Sequence, residues 1–219
     1  GDYAFVLERL KGKGLSLDER KELARKAFQH CAVYDTAIAS YLGVGGDPFT
    51  EELSFGLRKV QSLRYGENPH QQAAFYREVV PGAQANGVGT AQQLWGKELS
   101  FNNILDADAA WTTVVDFPVP SVAIVKHTNP CGLAHHANLT EAYRRALAGD
   151  PVSAFGGIVA CNVPLDGETA REMARTFYEI IIAPGYSPEA LQVLQGKKDL
   201  RLLQLPAAKP AANLDVRRV

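Results

Sequence analysis

Two adjacent titratable side chains, Lys126 and His127, follow a run of apolar residues in the segment SVAIVKHTNPCG at positions 121–132. The apolar run predicts a buried strand, and in layered α/β proteins the carboxyl ends of strands border the binding cleft. Burial can lower the pKa of a lysine and histidine titrates near neutrality, so the two form a usable acid and base pair. The Asn-Pro-Cys-Gly sequence that follows predicts a turn. The alternative is a strand end where Lys126 reaches solvent and His127 caps that turn.

A second candidate site lies in LRYGENPHQ at positions 63–71. Arg64 supplies a cation, Tyr65 a phenol, and the glycine and Asn-Pro that follow predict a tight turn. This combination is suited to holding an anion such as a phosphate. The alternative is a solvated turn between domains, in which Arg64 pairs with a local carboxylate.

Paired glycines mark a third candidate, DPVSAFGGIVA at positions 150–160. Because Gly156 and Gly157 have no Cβ, a ligand or another part of the backbone can approach closely. A purely structural turn fits the same residues. The chain has neither the GK[ST] ending of a P-loop nor a GxGxxG that opens a helix, so nucleoside triphosphates and dinucleotides lose their usual support.

Metal-binding patterns in the chain are incomplete. Pro130 and Cys131 match the start of the P-C-x-x-C half of a zinc deaminase site, but Ala134 stands where that motif needs a cysteine, and the chain has no H-x-E. His135 and His136 are adjacent on a predicted loop, where neighbouring side chains diverge, so we interpret them as surface residues. We therefore predict no metal site. The three cysteines show no CxxC spacing and are interpreted as reduced thiols.

The clearest helical signal lies at residues 16–42. Ser16 and Glu19 have the spacing of a capping box, and the helix is expected to end at Gly43. Apolar residues recur every three or four positions, at Leu23, Ala27, Cys31, Tyr34, Ile38 and Leu42. The pattern predicts an amphipathic helix packed on another element. The sequence GVGGDPF at 43–49 is typical of a domain boundary, and we predict a linker over residues 43–62.

Predicted strands and helices alternate after this linker. Short apolar runs predict strands at 121–126, 155–161, 179–183 and 199–205. Helices are predicted at 99–117, at 139–148 with Thr140 as N-cap, at 168–178, and after the Ser187-Pro188 start signal. Asp106 and Asp108 lie two residues apart in the first of these helices, and we interpret them as solvated or capping. The alternation predicts an α/β layered domain with crossover helices.

Composition excludes several classes of function. Lys plus Arg number 23 and Asp plus Glu number 24, so the net charge of −1 attracts neither nucleic acid nor an anionic membrane. The apolar runs are far shorter than the ~20 residues that a membrane helix needs, and no signal peptide is visible. We expect a cytoplasmic protein. Because the sequence starts at Gly1 rather than Met and stops without a helix cap, we also expect a fragment of a longer chain.

Five segments, in order, resemble the bifunctional purine biosynthesis protein family, which joins AICAR formyltransferase to IMP cyclohydrolase. They are LRYGENPHQ (63–71), LSFNNILDADAAW (99–111), IVKHTNPCG (124–132), DPVSAFGGIVA (150–160) and IIIAPGY (180–186). The helix KAFQHCAVYDTAIASYL (26–42) resembles the end of the family's cyclohydrolase domain. The resemblance implies that residues 1–50 are the C-terminal helical part of that domain plus a linker. Residues 51–219 would be the first, incomplete subdomain of the formyltransferase domain, with a cytidine-deaminase-like three-layer α/β/α sandwich fold.

The resemblance also implies a reaction: transfer of a formyl group from the cosubstrate 10-formyltetrahydrofolate to the 5-amino group of AICAR, giving FAICAR. His127 would be the catalytic base that takes the amine proton, and Lys126 would stabilise the transition state. This division agrees with the residue chemistry, because an aromatic amine is a poor nucleophile and an ammonium can stabilise a developing oxyanion. The residues that would bind the AICAR ribotide are Arg64, Tyr65, Gly156, Glu179 and Asn103, the last through the ligand's carboxamide.

The family's remaining properties are implied for a longer parent protein. That parent would be a homodimer that also cyclises FAICAR to IMP, and this segment alone would be inactive. Two alternatives stay open from the sequence: a zinc-dependent nucleobase deaminase, and a non-catalytic module in which Lys126 and His127 have no chemical role.

Overall fold

In the computed structural model, which describes residues 1–47, 49–79 and 87–206, the chain divides into two units. Within the described residues, the first unit comprises Gly1–Arg58 with residues 78 and 79, and the second comprises Lys59–Arg77 with residues 87–206. None of the described helices is both long enough and apolar enough to cross a membrane. The assignment of residues 1–50 and 51–219 to two family domains stays a prediction.

The first unit contains two helices, α1 (Tyr3–Lys11) and α2 (Leu17–Leu42). The predicted capping box is confirmed: Ser16 Oγ accepts from the Glu19 amide at 3.2 Å, and Glu19 Oε2 accepts from the Ser16 amide at 2.8 Å. The helix ends at Gly43, as predicted. Its predicted packing is not seen among the described residues, since Ala37 is the buried residue of α2 there, and the apolar face is exposed at Tyr34, Ile38 and Leu42.

Two strands, β1 (Leu57–Leu63) and β2 (Ala73–Glu78), form a separate two-stranded sheet. The linker prediction over residues 43–62 is therefore wrong for its last part, because residues 57–62 belong to β1. The strand was missed because its sequence, LRKVQSL, is half polar and exposed along most of its length. The segment between the strands closes on itself: the Gly66 amide donates to the Gln71 carbonyl at 3.1 Å.

A six-stranded mixed sheet forms the centre of the second unit, in the order β3-β8-β7-β6-β4-β5. Strands β6, β7 and β8 are parallel to one another, and the remaining pairs are antiparallel. The strands are β3 (Gln92–Trp95), β4 (Ser121–Lys126), β5 (Asn129–His135), β6 (Ile158–Cys161), β7 (Ile180–Ala183) and β8 (Arg201–Gln204).

Helices cover both faces of this sheet: α3 (Phe101–Val115), α4 (Leu139–Gly149), α5 (Gly167–Met173) and α6 (Pro188–Gln195). Successive side chains of β4 point to opposite faces of the sheet, which shows that there is one helical layer on each face. Val122 and Ile124 join the core cluster that contains residues of α4, α5 and α6, whereas Ala123 and Val125 join the cluster that contains residues of α3. The predicted α/β class is confirmed, and the finer cytidine-deaminase-like topology stays a prediction.

The element boundaries differ from the predictions at turns. Strand 121–126 is confirmed, whereas β6 starts at Ile158 rather than at Phe155. The reason is that Gly156 has a φ of 74° and its amide donates to the Phe177 carbonyl at 2.8 Å, which holds this segment in a turn. The other two predicted strands start one and two residues later than expected, at Ile180 and Arg201.

The helix ends also differ in two places. Asn138, not Thr140, caps α4, because the Thr140 hydroxyl is buried and hydrogen-bonded to Thr169 Oγ1 at 2.9 Å. Helix α5 ends at Met173 instead of 178, and Tyr178 is buried with its hydroxyl 3.0 Å from that of Tyr143. The other boundaries lie close to prediction, with α3 shorter by two residues at each end.

The Asn-Pro-Cys-Gly segment is not a turn but the start of β5, so this prediction is wrong. The register of β4 and β5 pairs Lys126 with Asn129, which leaves His127 and Thr128 as the whole turn. At Gly132 the strand lies directly against the backbone of α4: a Cβ there would overlap the Ala146 carbonyl oxygen and lie 2.8 Å from its carbon. Glycine permits this contact between a strand and a helix.

The cap of α6 gives a testable contribution to stability. Ser187 Oγ accepts from the Ala190 amide at 3.1 Å, and Pro188 occupies the first turn, as predicted. We expect Ser187→Ala to lower the free energy of unfolding by about 1 kcal/mol, because an amide of the first turn loses its acceptor. Urea unfolding followed by circular dichroism measures this change. Ser40→Ala is the control: the Ser40 hydroxyl donates to the Thr36 carbonyl inside α2 and caps nothing, so a loss as large there would contradict the assignment.

Candidate active site

The β4–β5 hairpin carries the predicted catalytic pair at its tip. The first five residues of β4 are buried, Lys126 is half-buried and His127 is exposed. A buried strand held by β5 on one side and β6 on the other is a rigid support. The structure therefore brings both side chains to the carboxyl end of one strand, as the apolar run predicted.

The turn at this tip has an unusual backbone. His127 and Thr128 have φ values of 54° and 62°, and they are the non-glycine residues with positive φ in the described part of the chain. A two-residue hairpin turn with both residues left-handed is of type I′ and usually has the sequence Asn-Gly. A β-branched threonine is rare in that region, because its Cβ substituents crowd the backbone. The hairpin could not be predicted, since His-Thr is not a hairpin signal.

Asp106 of α3 holds this turn from outside the hairpin. Its Oδ1 accepts from the Thr128 amide at 2.7 Å, and its Oδ2 accepts from the His127 amide at 3.2 Å. Two bonds to the His127 carbonyl add to this, from Thr128 Oγ1 at 2.7 Å and from Asn129 Nδ2 at 2.8 Å. The interpretation of Asp106 as solvated or capping missed its partner, because the capped amides lie 21 and 22 residues further along the chain.

Lys126 and Gly156 are in direct proximity. Lys126 Nζ donates to the Phe155 carbonyl at 2.8 Å, which fixes the ammonium over the turn before β6. A Cβ on Gly156 would lie 3.9 Å from Nζ, so the glycine leaves the space beside the ammonium open. These two predicted site residues, 30 positions apart in sequence, thus belong to one cluster.

His127 offers a free imidazole. Its backbone is fixed on both sides by hydrogen bonds, yet its ring makes no hydrogen bond to any residue that the structure describes. An exposed imidazole without an internal partner is able to accept a proton from a bound molecule.

Asn103 and Glu179 form the second pair that the structure brings together. Asn103 Nδ2 donates to Glu179 Oε2 at 2.6 Å, and Arg201 Nη1 lies 3.9 Å from the same oxygen. Asn103 is 5% exposed, and its Oδ1 also accepts from the Ser100 amide in the capping box of α3. Both ends of the Asn103 side-chain amide therefore make hydrogen bonds within the protein. The buried Asn103 holds the more exposed Glu179 carboxylate in place.

The Asn103–Glu179 pair and the Lys126–Gly156 cluster are linked through the backbone. The Glu179 amide donates to the Gly157 carbonyl at 3.0 Å, and the neighbouring Gly156 lies beside Lys126. Arg64 and Tyr65 stand apart: no hydrogen bond joins their side chains to either pair within the described residues.

The Arg64–Tyr65 turn is anchored on the α3 side of the sheet. Leu63 packs against the core cluster that includes Ile104 and Val125, and Gln61 Nε2 donates to the Leu99 carbonyl at 3.3 Å. The Arg64 guanidinium lies 5.9 Å from the centre of the Tyr65 ring, at the limit of a cation–π contact. No carboxylate pairs with Arg64 within the described residues, so the alternative of a local ion pair gains no support.

A cavity of about 350 Å³ adjoins the Gly156 turn. Phe155 and Phe177, whose ring centres are 5.4 Å apart, form part of its wall, and Lys197 and Lys198 contribute charge. Neither Lys126 nor His127 is among its lining residues. That the predicted catalytic pair, Lys126 and His127, faces a cleft stays a prediction.

The thiols and histidines near the hairpin do not form a metal cluster in residues 1–47, 49–79 or 87–206. Burial raises the pKa of the Cys131 thiol and raises that of Cys161 to about 12, which disfavours the thiolate that zinc requires. His135 is the last residue of β5, not a loop residue as predicted, and the His136 ring accepts from the Asn138 amide at 3.0 Å. The absence of a metal from the protein stays a prediction.

Known proteins match this chain along its length. A family described as "AICARFT/IMPCHase bienzyme" matches residues 1–219. Proteins named "Bifunctional purine biosynthesis protein PurH" are similar along the chain: that of Myxococcus xanthus is 53% identical over 100% of this chain and 44% of its own length, and that of Acetivibrio thermocellus 49% identical over 100% and 43%. The chain thus spans less than half the length of these curated relatives.

Among solved structures, RibD of Acinetobacter baumannii aligns at 14% identity and a TM-score of 0.37, over 45% of this chain and 35% of that one. No inference about this chain follows from that alignment.

Proposed function

Because the chain belongs to the AICARFT/IMPCHase bienzyme family, we propose that it carries the catalytic base and much of the ribotide site of an AICAR formyltransferase. The reaction transfers a formyl group from 10-formyltetrahydrofolate to the 5-amino group of AICAR. A C–N bond forms between the amine nitrogen and the formyl carbon, and the bond from that carbon to folate N10 breaks. The products are FAICAR and tetrahydrofolate.

In this proposal His127 takes the proton that the amine loses as it attacks. An aromatic amine is weakly nucleophilic, so removal of its proton during attack lowers the barrier. The Lys126 ammonium stabilises the formyl oxygen as it gains negative charge. When the bond from the formyl carbon to N10 breaks, N10 takes up one proton, which balances the proton that His127 removed from the amine. The observation that carries the proposal is the fixed placement of these two groups: Lys126 Nζ is held by the Phe155 carbonyl, and the His127 backbone is clamped by Asp106.

The ribotide contacts follow from the second group of residues. Arg64 and Tyr65 would hold the phosphate, because a guanidinium forms paired hydrogen bonds with phosphate oxygens. Gly156 would lie against the ligand, where its missing side chain leaves space beside Lys126. Glu179, presented by Asn103, would accept hydrogen bonds from the ligand, and direct contact of Asn103 with the ligand's carboxamide belongs to the same proposal.

The complete enzyme would need more than these 219 residues, since the curated relatives are more than twice as long. We propose that this chain alone is inactive, and that a chain of the relatives' full length is a cytoplasmic homodimer that also cyclises FAICAR to IMP. Residues 1–50 would then belong to the cyclohydrolase domain and residues 51–219 to a formyltransferase domain of the cytidine-deaminase-like fold. Formyl transfer by the 219-residue chain alone would contradict the first part.

Binding of AICAR tests the ribotide site. In a chain of the relatives' full length, we expect Arg64→Ala to weaken AICAR binding by about 10- to 100-fold, because a charge-assisted hydrogen bond to phosphate is lost. Isothermal titration calorimetry measures this, and a ligand without the phosphate, the free riboside, should bind wild type and variant equally. Arg58→Ala removes another exposed arginine, on β1, the strand that ends just before Arg64, and this control variant should bind AICAR normally. Equal affinity of the Arg64→Ala variant and wild type for AICAR would remove Arg64 from the site.

A further inference from the structure

The left-handed turn at His127 and Thr128 raises the question of what keeps it in place. Neither residue is glycine, and a left-handed backbone is unfavourable for both, most of all for the β-branched Thr128. Such backbones persist only where the surroundings hold them, and they concentrate at functional sites. The sequence supplies no Asn-Gly to favour the turn locally, so the restraint has to come from elsewhere in the fold.

That restraint is the carboxylate of Asp106. One oxygen accepts a hydrogen bond from the His127 amide at 3.2 Å and the other accepts one from the Thr128 amide at 2.7 Å. A single side chain therefore binds both amides of the turn. Asp106 is half-buried on α3, a 15-residue helix whose buried face packs on the sheet. Because α3 is packed on the sheet, the position of Asp106 is fixed relative to the turn.

We propose that Asp106 is a positioning residue for formyl transfer: it holds the turn in the conformation that points His127 at the amine. The inference rests on the proposed function, because it assigns Asp106 a role through His127. The imidazole has no partner of its own among the described residues, so its location depends on the backbone that carries it. A displacement of about 1 Å in a reacting group can cost about a hundredfold in rate.

Two other roles for Asp106 fit the geometry less well. Both carboxylate oxygens already accept hydrogen bonds from the turn amides, so the group is poorly placed to accept a proton from substrate. A role only in helix stability is disfavoured because the bonded amides belong to the hairpin and not to α3. Asp108 does not share this arrangement, because its carboxyl group lies beside Gly87 and Val88. Desolvation raises the pKa of that carboxyl group.

The test compares variants in a chain of the relatives' full length. Asp106→Asn keeps the size of the side chain but leaves a single acceptor oxygen. Its side-chain NH2 group would face the backbone N–H of His127 or Thr128, so one of the two hydrogen bonds is lost. We expect the kcat of formyl transfer to fall by about 10- to 100-fold, with the KM for AICAR changed by less than about threefold, because Arg64 and Tyr65 are untouched. Asp108→Asn, the same change two residues away, is the control and should keep wild-type kinetics.

A rescue variant separates positioning from any other role. Thr128→Gly removes the steric cost of the left-handed backbone and makes the turn favourable without the clamp. We expect Asp106→Asn combined with Thr128→Gly to recover most of the lost kcat. Hydrogen exchange of the peptide spanning residues 121–135, followed by mass spectrometry, should show faster exchange in Asp106→Asn and partial recovery in the double variant.

Each outcome decides one question. Wild-type kcat in Asp106→Asn overturns this inference, and so does a loss of kcat that Thr128→Gly does not reverse, because a charge or proton-transfer role would then remain. If Asp106→Asn does not fold, the double variant should fold and transfer formyl, and an unfolded double variant also overturns the inference. If the wild-type protein shows no formyl transfer, the proposed function fails, while the exchange measurement still decides whether Asp106 holds the turn.

Discussion

Replacing His127 with alanine, in a chain of the relatives' full length, is expected to lower formyl transfer to AICAR by at least about a hundredfold while leaving cyclisation of FAICAR unchanged. The loss follows because the amine would attack without a base to take its proton, and the Lys126 ammonium cannot substitute for a proton acceptor. Cyclisation should continue because our proposal assigns that activity to a different domain. The two activities are measured separately, the first by tetrahydrofolate release and the second by IMP formation from FAICAR.

His135→Ala is the matched control for this prediction. It removes another exposed histidine, eight residues away at the far end of β5, and it should retain both activities. A His127→Ala protein that still transfers formyl at the wild-type rate would show that the imidazole is not the base. Loss of both activities together would indicate a folding defect instead, and a melting curve would reveal it.

Gly132→Ala is expected to destabilise the second unit by about 3 kcal/mol or more, a larger effect than most single substitutions produce. The added Cβ would overlap the carbonyl oxygen of Ala146, so the clash is with backbone and cannot be relieved by rotating a side chain. Either β5 has to move away from α4 or the helix has to shift. Urea unfolding of the 219-residue chain, followed by circular dichroism, measures the change in the midpoint.

Gly185→Ala provides the comparison. The nearest atom to a Cβ at Gly185 would be 3.8 Å away, an ordinary van der Waals distance, and its φ is not in the left-handed region. We expect a change within about 0.5 kcal/mol for that variant. If Gly132→Ala were equally mild, the close packing of strand and helix described above would be incorrect.

Much of the fold was predictable because its signals are local. The run SVAIV is buried in the sheet, and the Ser16 and Ser187 caps start the helices they were expected to start. Strands without such a run were missed: β1 is half polar and β5 begins with Asn-Pro. Their positions depend on pairing with other strands, which one segment of sequence does not encode.

The common location of Lys126 and His127 was predictable from the sequence, whereas the contacts within the candidate site were not. Lys126 and His127 are adjacent in sequence, so their common location followed from one strand. The bond between Asn103 and Glu179 joins residues 76 positions apart, and Asp106 reaches a turn 21 positions away. Such contacts arise when α3 packs on the sheet, and residue types alone do not specify them.

Asn103 takes part both in the start of helix α3 and in the support of the Glu179 carboxylate. Its Oδ1 caps the Ser100 amide while its Nδ2 holds Glu179. Fraying of the first turn of α3 would therefore release Glu179 as well, and a molecule gripped by Glu179 would in turn resist that fraying. Under the proposed function, ligand binding at Glu179 and local unfolding of this helix end would therefore be thermodynamically linked, and a substitution at Ser100 would change ligand affinity without contacting the ligand.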